Sequence, residues 1–225
     1  MILEWMIYHV PDYLSVGDRA CSLLPQQPGF KAQIGGFNLD SANPQACTLT
    51  FWSTVRDYVK FMDQERDSAL VRYQERKREM IEVALFSATM TFPGEFPSVL
   101  ESLEKATVLR VADCHIKTDR QDHFVAVERD VWIPGISWRD GMFAGIFSKA
   151  LNSQSRFLVT TFWQDLEAHA SYHLNVYPDL SQTANASEDV RNMNRSLVKL
   201  EPSWLVRPSS ERFAKPLSVH HPILR

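Results

Sequence analysis

The sequence of 225 residues predicts an α+β fold: two tandem ferredoxin-like repeats, each β-α-β-β-α-β, whose antiparallel sheets pack into one pseudo-twofold α/β barrel. Phe51-Trp52 recurs as Phe162-Trp163, 111 residues further on, and the likeness spreads outward from that pair. Gly35-Gly36-Phe37 lies over Ala144-Gly145-Ile146, and Leu3 to Val10 lies over Leu109 to Ile116. A period this long, in two copies, indicates a doubled domain rather than a solenoid. The second observation is that strand-like and helix-like runs follow one another in the same order in both halves. The third is physical: a ferredoxin-like sheet carries helices on one face only, and two such sheets bury their bare faces by packing them together.

The elements follow in order. Residues 2–10 are apolar and β-prone until Pro11-Asp12 breaks the strand and supplies a helix start, with Tyr13, Val16, Ala20, Leu23 and Leu24 on one face. Residues 31–38 and 46–52 read as a strand pair across an Asp-Ser-Ala-Asn-Pro turn. Ser53 or Thr54 then caps a helix carrying Val55, Tyr58, Val59 and Met62, which continues as charged helix to about residue 78. Residues 80–88 close the first half. In the second half, 107–116 is a strand, and Asp119 caps a helix with Phe124, Val127 and Val131 on one face. Residues 142–147 and 156–163 form the strand pair, and 164–174 is helical. A polar loop covers 178–187, a short helix restarts at Ser187, and 197–206 is the closing strand. The predicted organisation is therefore repeat 1 over 1–90, a linker over 91–106, repeat 2 over 107–206 and an extended tail over 207–225.

Composition narrows the function classes. A net charge of −3 gives no reason to expect nucleic acid or an anionic membrane as partner. No apolar run reaches membrane-spanning length, and the N-terminal segment lacks a basic leader. The three cysteines, Cys21, Cys47 and Cys114, are odd in number and lack metal-type spacing, which suits free thiols and a cytoplasmic location.

A strand ending in aromatic-Trp, then a polar cap and an amphipathic helix (Leu166 to His173 in the second half), resembles the dimeric α/β-barrel proteins of the antibiotic-biosynthesis-monooxygenase type. More narrowly, Val111 to His115, Glu128 to Gly135 and Leu200 to Val206 resemble the uncharacterised tandem YdbC-like proteins, over roughly residues 1–206. The resemblance implies a small-molecule pocket between sheet and helices, with Trp52 and Trp163 flanking a planar substrate. Trp132, before Ile133-Pro134-Gly135, resembles a loop anchor that closes over such a pocket. The implied chemistry is cofactor-independent oxygenation, isomerisation or cyclisation of a phenolic or quinone-like compound. A non-catalytic ligand-binding module and a haem-binding or haem-degrading protein are the alternatives. With the barrel completed inside one chain, a monomer or a weak homo-oligomer is expected.

Several residues carry candidate chemistry, each with a structural reading beside it. Asp113 and His115 alternate onto one strand face, where a carboxylate can orient an imidazole as general base; the same pair also suits bonding across the strands. His9 is the repeat-related histidine, with Ile7 in place of the carboxylate. His169 and His173 are four apart on a helix, a spacing suited to oxyanion contact or haem iron, or to an exposed polar face. No obvious third ligand accompanies them beyond Asp165, one turn earlier, so no metal site is predicted. For Trp52 and Trp163, packing at a strand end is the alternative to substrate contact.

Overall fold

The computed structural model describes residues 1–9, 24–64 and 80–209, without the side chains of His9, Gln64, Met80 and Ile81. The helix expected after Pro11, the charged helix toward residue 78, Cys21 and the end of the tail lie outside the described residues. The described strands are β1 (Ile2–His9), β2 (Phe30–Asn38), β3 (Gln45–Trp52), β4 (Met80–Phe92), β5 (Val108–Ile116), β6 (Met142–Ala150), β7 (Arg156–Trp163) and β8 (Val190–Leu200). Between them lie α1 (Val55–Gln64), α2 (Val99–Ser102), α3 (Gln121–Val127), a π-turn (Glu128–Trp132), α4 (Ile133–Ile136), α5 (Leu166–Asn175) and α6 (Tyr177–Ala184).

All eight strands pair antiparallel and close into a ring, β1-β3-β2-β8-β5-β7-β6-β4. Within each half the order is the same, last strand, first, third, second. The halves join along β2–β8 and β4–β6. At the β2–β8 seam Gly36 lies opposite Leu200, and a Cβ there would collide with the Lys199 carbonyl oxygen. Only glycine lets the strands approach this closely.

Strand alternation sorts the side chains into two layers. Leu3, Trp5, Leu49, Phe51, Phe86, Leu109, Val111, Leu158 and Phe162 point inward and fill the barrel. Phe51 and Phe162 meet there with ring centroids 6.5 Å apart. Each fully buried Leu or Phe contributes about 1.5–3 kcal/mol, so this filled interior is the main source of stability. Toward one end, Arg156 grips Asp113 through two bonds of 2.9 and 2.5 Å, bonds Glu82, and lies 5.4 Å over the Phe86 ring.

Outward-facing residues make the second layer. Val108, Ala112, Cys114, Phe157, Val159 and Trp163 pack under Phe124, Trp132, Ile136 and Tyr172 in the second half. Ile2, Phe30 and Trp52 pack with Tyr58 in the first.

The structure corrects several boundaries. The expected polar loop 178–187 is largely helical, α6: Pro178 sits in its first turn, where a missing N–H costs nothing, and left-handed Asn185 (φ 45) ends it. β8 begins at Val190 rather than 197; Arg191, Asn192, Asn194 and Arg195 are exposed on both its faces, which accounts for the polar stretch that masked it. It stops at Leu200, and Pro202–Trp204 form a 3-10 turn that brings Trp204 onto Phe37, 5.2 Å between centroids. β4 runs on to Phe92 and pairs with β6, so the expected linker contains strand and the short α2. Asp119 is not the cap; it takes a left-handed φ of 65 and Arg120 occupies the N-cap. Among the described residues no helix is long and apolar enough to cross a membrane.

Candidate functional site

A cavity of about 440 Å³ opens between the outer face of the second-half sheet and its helices. β5 contributes Arg110, Ala112 and Cys114, successive outward positions in which two small side chains leave space beside one long cation. The helical wall contributes Phe124, Glu128, Trp132 and Ile136, each four residues after the last. In an α-helix of about 3.6 residues per turn this series drifts around the axis. A π-turn takes more residues per revolution and offsets the drift, keeping the four in one line. The π-turn is marked by the Ile133 N–H donating to the Glu128 carbonyl, five residues back. It falls where Pro134 has no N–H to offer the Asp130 carbonyl, so an unbroken α ladder is impossible there. Tyr177 and Ser181 of α6 and Val190 to Arg195 of β8 complete the lining.

Glu128 is the chemical centre of this cavity. It is 5 % exposed, and its Oε2 has no hydrogen-bond partner. Burial pushes its carboxyl from 4.5 up to about 8, with the Arg110 charge pulling the other way, so the acid is mostly protonated near neutral pH. Among the described residues Arg110, half-buried, makes no hydrogen bond or ion pair. The Tyr172 hydroxyl is likewise buried without a partner, and burial lifts it to about 12. Arg195 donates to the Tyr177 hydroxyl (3.1 Å), whose ring lies 5.6 Å from Trp132. The Cys114 thiol is pushed far up by burial and is no nucleophile.

Of the residues singled out from the sequence, the structure brings Trp132 to this cavity and leaves the others off its lining. Trp132 belongs to the π-turn rather than to a loop. Trp163 is fully buried beside α5: its Nε1 donates to Thr161 Oγ1 (2.9 Å), and its ring packs on Tyr172 (5.1 Å) and His169 (5.5 Å). Trp52 holds the matching place in the first half, against Phe30, Tyr58 and Phe61. Both fill the gap between sheet and helix, which is the packing reading.

Asp113 and His115 share a face, but the inward one, on the other side of the sheet from the cavity. Asp113 gives both oxygens to Arg156 and stands 3.8 Å from His115, so the expected general-base couple is replaced by a buried ion pair. His9 ends β1 opposite Gln45; its side chain lies outside the described residues. His169 and His173 do not converge: their rings are 6.2 Å apart, and exposed His173 stacks on Tyr177 (4.9 Å). Burial holds His169 down at about 4, with Arg110 and His173 adding to the effect. Neither residue is part of the cavity's lining. Among the described residues no three His, Cys, Asp or Glu side chains gather as a metal group.

Sequence reasoning missed Arg110 and Glu128. The signals were the single charge on the outward face of an apolar strand, and a lone acid in the series Phe124-Glu128-Trp132-Ile136. Reading Phe124, Val127 and Val131 as the buried face assumed an uninterrupted α-helix.

A family model described as a domain of unknown function (DUF4937) matches residues 9–86, the greater part of the first half. No curated protein sequence matches the chain. Solved structures share its fold. A protein from Fusobacterium nucleatum provisionally assigned as a monooxygenase is 8% identical, with 88% of this chain and 91% of that chain covered at a TM-score of 0.63. An anthrone oxidase-like protein is 10% identical, with 89% and 91% covered at 0.64. A provisionally assigned monooxygenase from Lactobacillus acidophilus is 10% identical, with 92% and 95% covered at 0.58. At such identities the likeness shows a shared fold.

Proposed function

We propose that this protein is a small-molecule enzyme acting on a planar phenolic or enolisable ketone substrate in the second-half cavity, with Glu128 as the proton-transferring group. The observation that carries this reading is a buried carboxyl whose Oε2 has no partner and whose affinity for its proton lies near neutral pH, in an aromatic-lined cavity with a guanidinium that is unpaired among the described residues. General acid–base catalysis is most efficient when the group's pKa is close to the working pH. The ionised fraction of Glu128 takes a proton from a C–H that is conjugated with a carbonyl. Arg110 holds the negative oxygen of the resulting enolate, and protonated Glu128 returns the proton to that oxygen. The product is the enol or phenol, the electron-rich form from which the oxygenation, isomerisation or cyclisation suggested by the family resemblance proceeds.

We also propose that the two halves descend from one duplicated ferredoxin-like unit, 1–90 and 107–206 joined through 91–106, and that the chain acts as a monomer. The equal strand order in both halves supports this.

Anthrone tests the enzymatic reading: it is planar and has one enolisable methylene group. Proton–deuterium exchange at that carbon, followed by NMR in D₂O, should be accelerated by the wild type and slowed about 100-fold or more in Glu128→Gln. Equal rates in the two folded proteins overturn the proposed role of Glu128.

A further inference from the structure

The cavity's charge is unbalanced in a way the proton-transfer step alone does not require. Arg110, Arg191 and Arg195 all line it, and among the described residues none is within ion-pair distance of a carboxylate. The one acid in the lining, Glu128, is buried and carries its proton near neutral pH. Arg191 and Arg195 are exposed and solvated, but Arg110 is half-buried in the sheet wall, where an unpaired guanidinium is costly. The chain as a whole is acidic, at −3, so this is a local concentration of positive charge. An anion is the group that would satisfy it.

The kind of anion follows from the remaining lining. Phosphate is commonly cradled by backbone amides of glycine-rich turns, and the lining contains no glycine. A carboxylate suits what is present, a planar guanidinium fork. Phe124, Trp132 and Tyr177 supply apolar faces for a flat ring system.

Resting on the proposed small-molecule site, we infer that its substrate is a planar aromatic carboxylate. The carboxylate and the ring oxygen beside it share the Arg110 fork, which leaves Glu128 for the proton transfer, and the fused rings lie against Trp132 and Tyr177. Arg110 is thus a specificity-determining residue that selects an acid over the neutral ring system of the same size.

Calorimetric titration at about pH 6.5 with 1-hydroxy-2-naphthoate, 1-naphthol and 1-naphthyl phosphate tests this. The carboxylate should bind the wild type about tenfold or more tighter than the naphthol, as a charge-assisted hydrogen-bonded pair implies. Arg110→Gln should lose that advantage, while the exposed first-half control Arg56→Gln should leave the affinity for each probe unchanged. If Arg110→Gln does not fold, Arg110→Lys, which keeps the charge and loses the fork, should show a partial loss of the same advantage. Naphthol binding as tightly as the carboxylate, with both lost in Trp132→Ala, overturns the carboxylate inference and leaves the site standing. Phosphate binding tightest overturns the choice of anion. Failure of all three probes to bind the wild type overturns both readings.

Discussion

Replacing Glu128 with Gln keeps the side chain's size and a hydrogen-bonding oxygen while removing its titration, so it isolates the free energy of holding an acid in this site. In the unfolded chain the carboxyl titrates near 4.5; in the folded chain burial moves it to about 8. Between those values the unfolded chain has released the proton that the folded chain retains, so rising pH favours unfolding. Stability is therefore full below about pH 4.5, falls toward pH 8, and levels off once both states are ionised. At about 1.36 kcal/mol per factor of ten in proton affinity, the gap amounts to on the order of 5 kcal/mol, a large share of the ~5–15 kcal/mol that stabilises a domain. Glu4, raised to about 7 by burial, adds a smaller decline of the same sign that both proteins share. Urea unfolding of wild type and Glu128→Gln at about pH 5 and about pH 9 measures the difference. At the lower pH the two should agree within about 1 kcal/mol, because a neutral amide replaces a neutral acid. At the higher pH the variant should be the more stable by several kcal/mol. A difference below about 1 kcal/mol at pH 9 refutes the argument that this carboxyl is buried without adequate compensation.

Other perturbations separate packing from chemistry. Asp113→Asn leaves the Arg156 guanidinium with Glu82 as its remaining carboxylate, and should cost about 3–5 kcal/mol in urea unfolding while leaving anthrone exchange in the folded fraction unchanged. Trp163→Ala should cost about 3–5 kcal/mol by opening a void against α5, whereas Trp132→Ala should lower both stability and, in calorimetry, ligand affinity. Gly36→Ala sets a methyl group against the Lys199 carbonyl oxygen and should cost at least about 2 kcal/mol, with amide exchange protection lost first along β2.

The barrel was legible because its determinants are periodic. Phe51 and Phe162 point in and Trp52 and Trp163 point out by strand alternation alone, so a repeated Phe-Trp encodes two layers at once. Boundaries were less legible where burial, not polarity, decides: 178–187 looks like a loop, yet Tyr177, Leu180 and Ala184 present one apolar edge to the sheet. The site was the least legible part. Asp113 and His115 satisfy a same-face rule, but the rule does not say which face, and the partner that claims Asp113 comes from β7, 43 residues away. Glu128 was hidden because its alignment with Trp132 depends on a π-turn, a departure from the helical period used to read the sequence.

The positions where the two halves differ say more about chemistry than those where they agree. Glu4 lies opposite Thr50 on β3, and Arg110 lies opposite Thr161 on β7, so the two charges occupy the same place in the same strand register. In the first half the place holds an acid, raised to about 7 by burial and accepting from the Tyr58 hydroxyl at 3.2 Å. In the second it holds a cation with no described partner, and the acid comes from the helix side as Glu128. An outward-facing site between sheet and helix needs the shared frame of Trp, Thr and alternating strand, and that frame places no sign on the charge it carries. Glu4 has a partner supplied by the chain, and among the described residues Arg110 has none. By the cost of leaving buried polar groups unpaired, the second arrangement is the one that a bound group would complete.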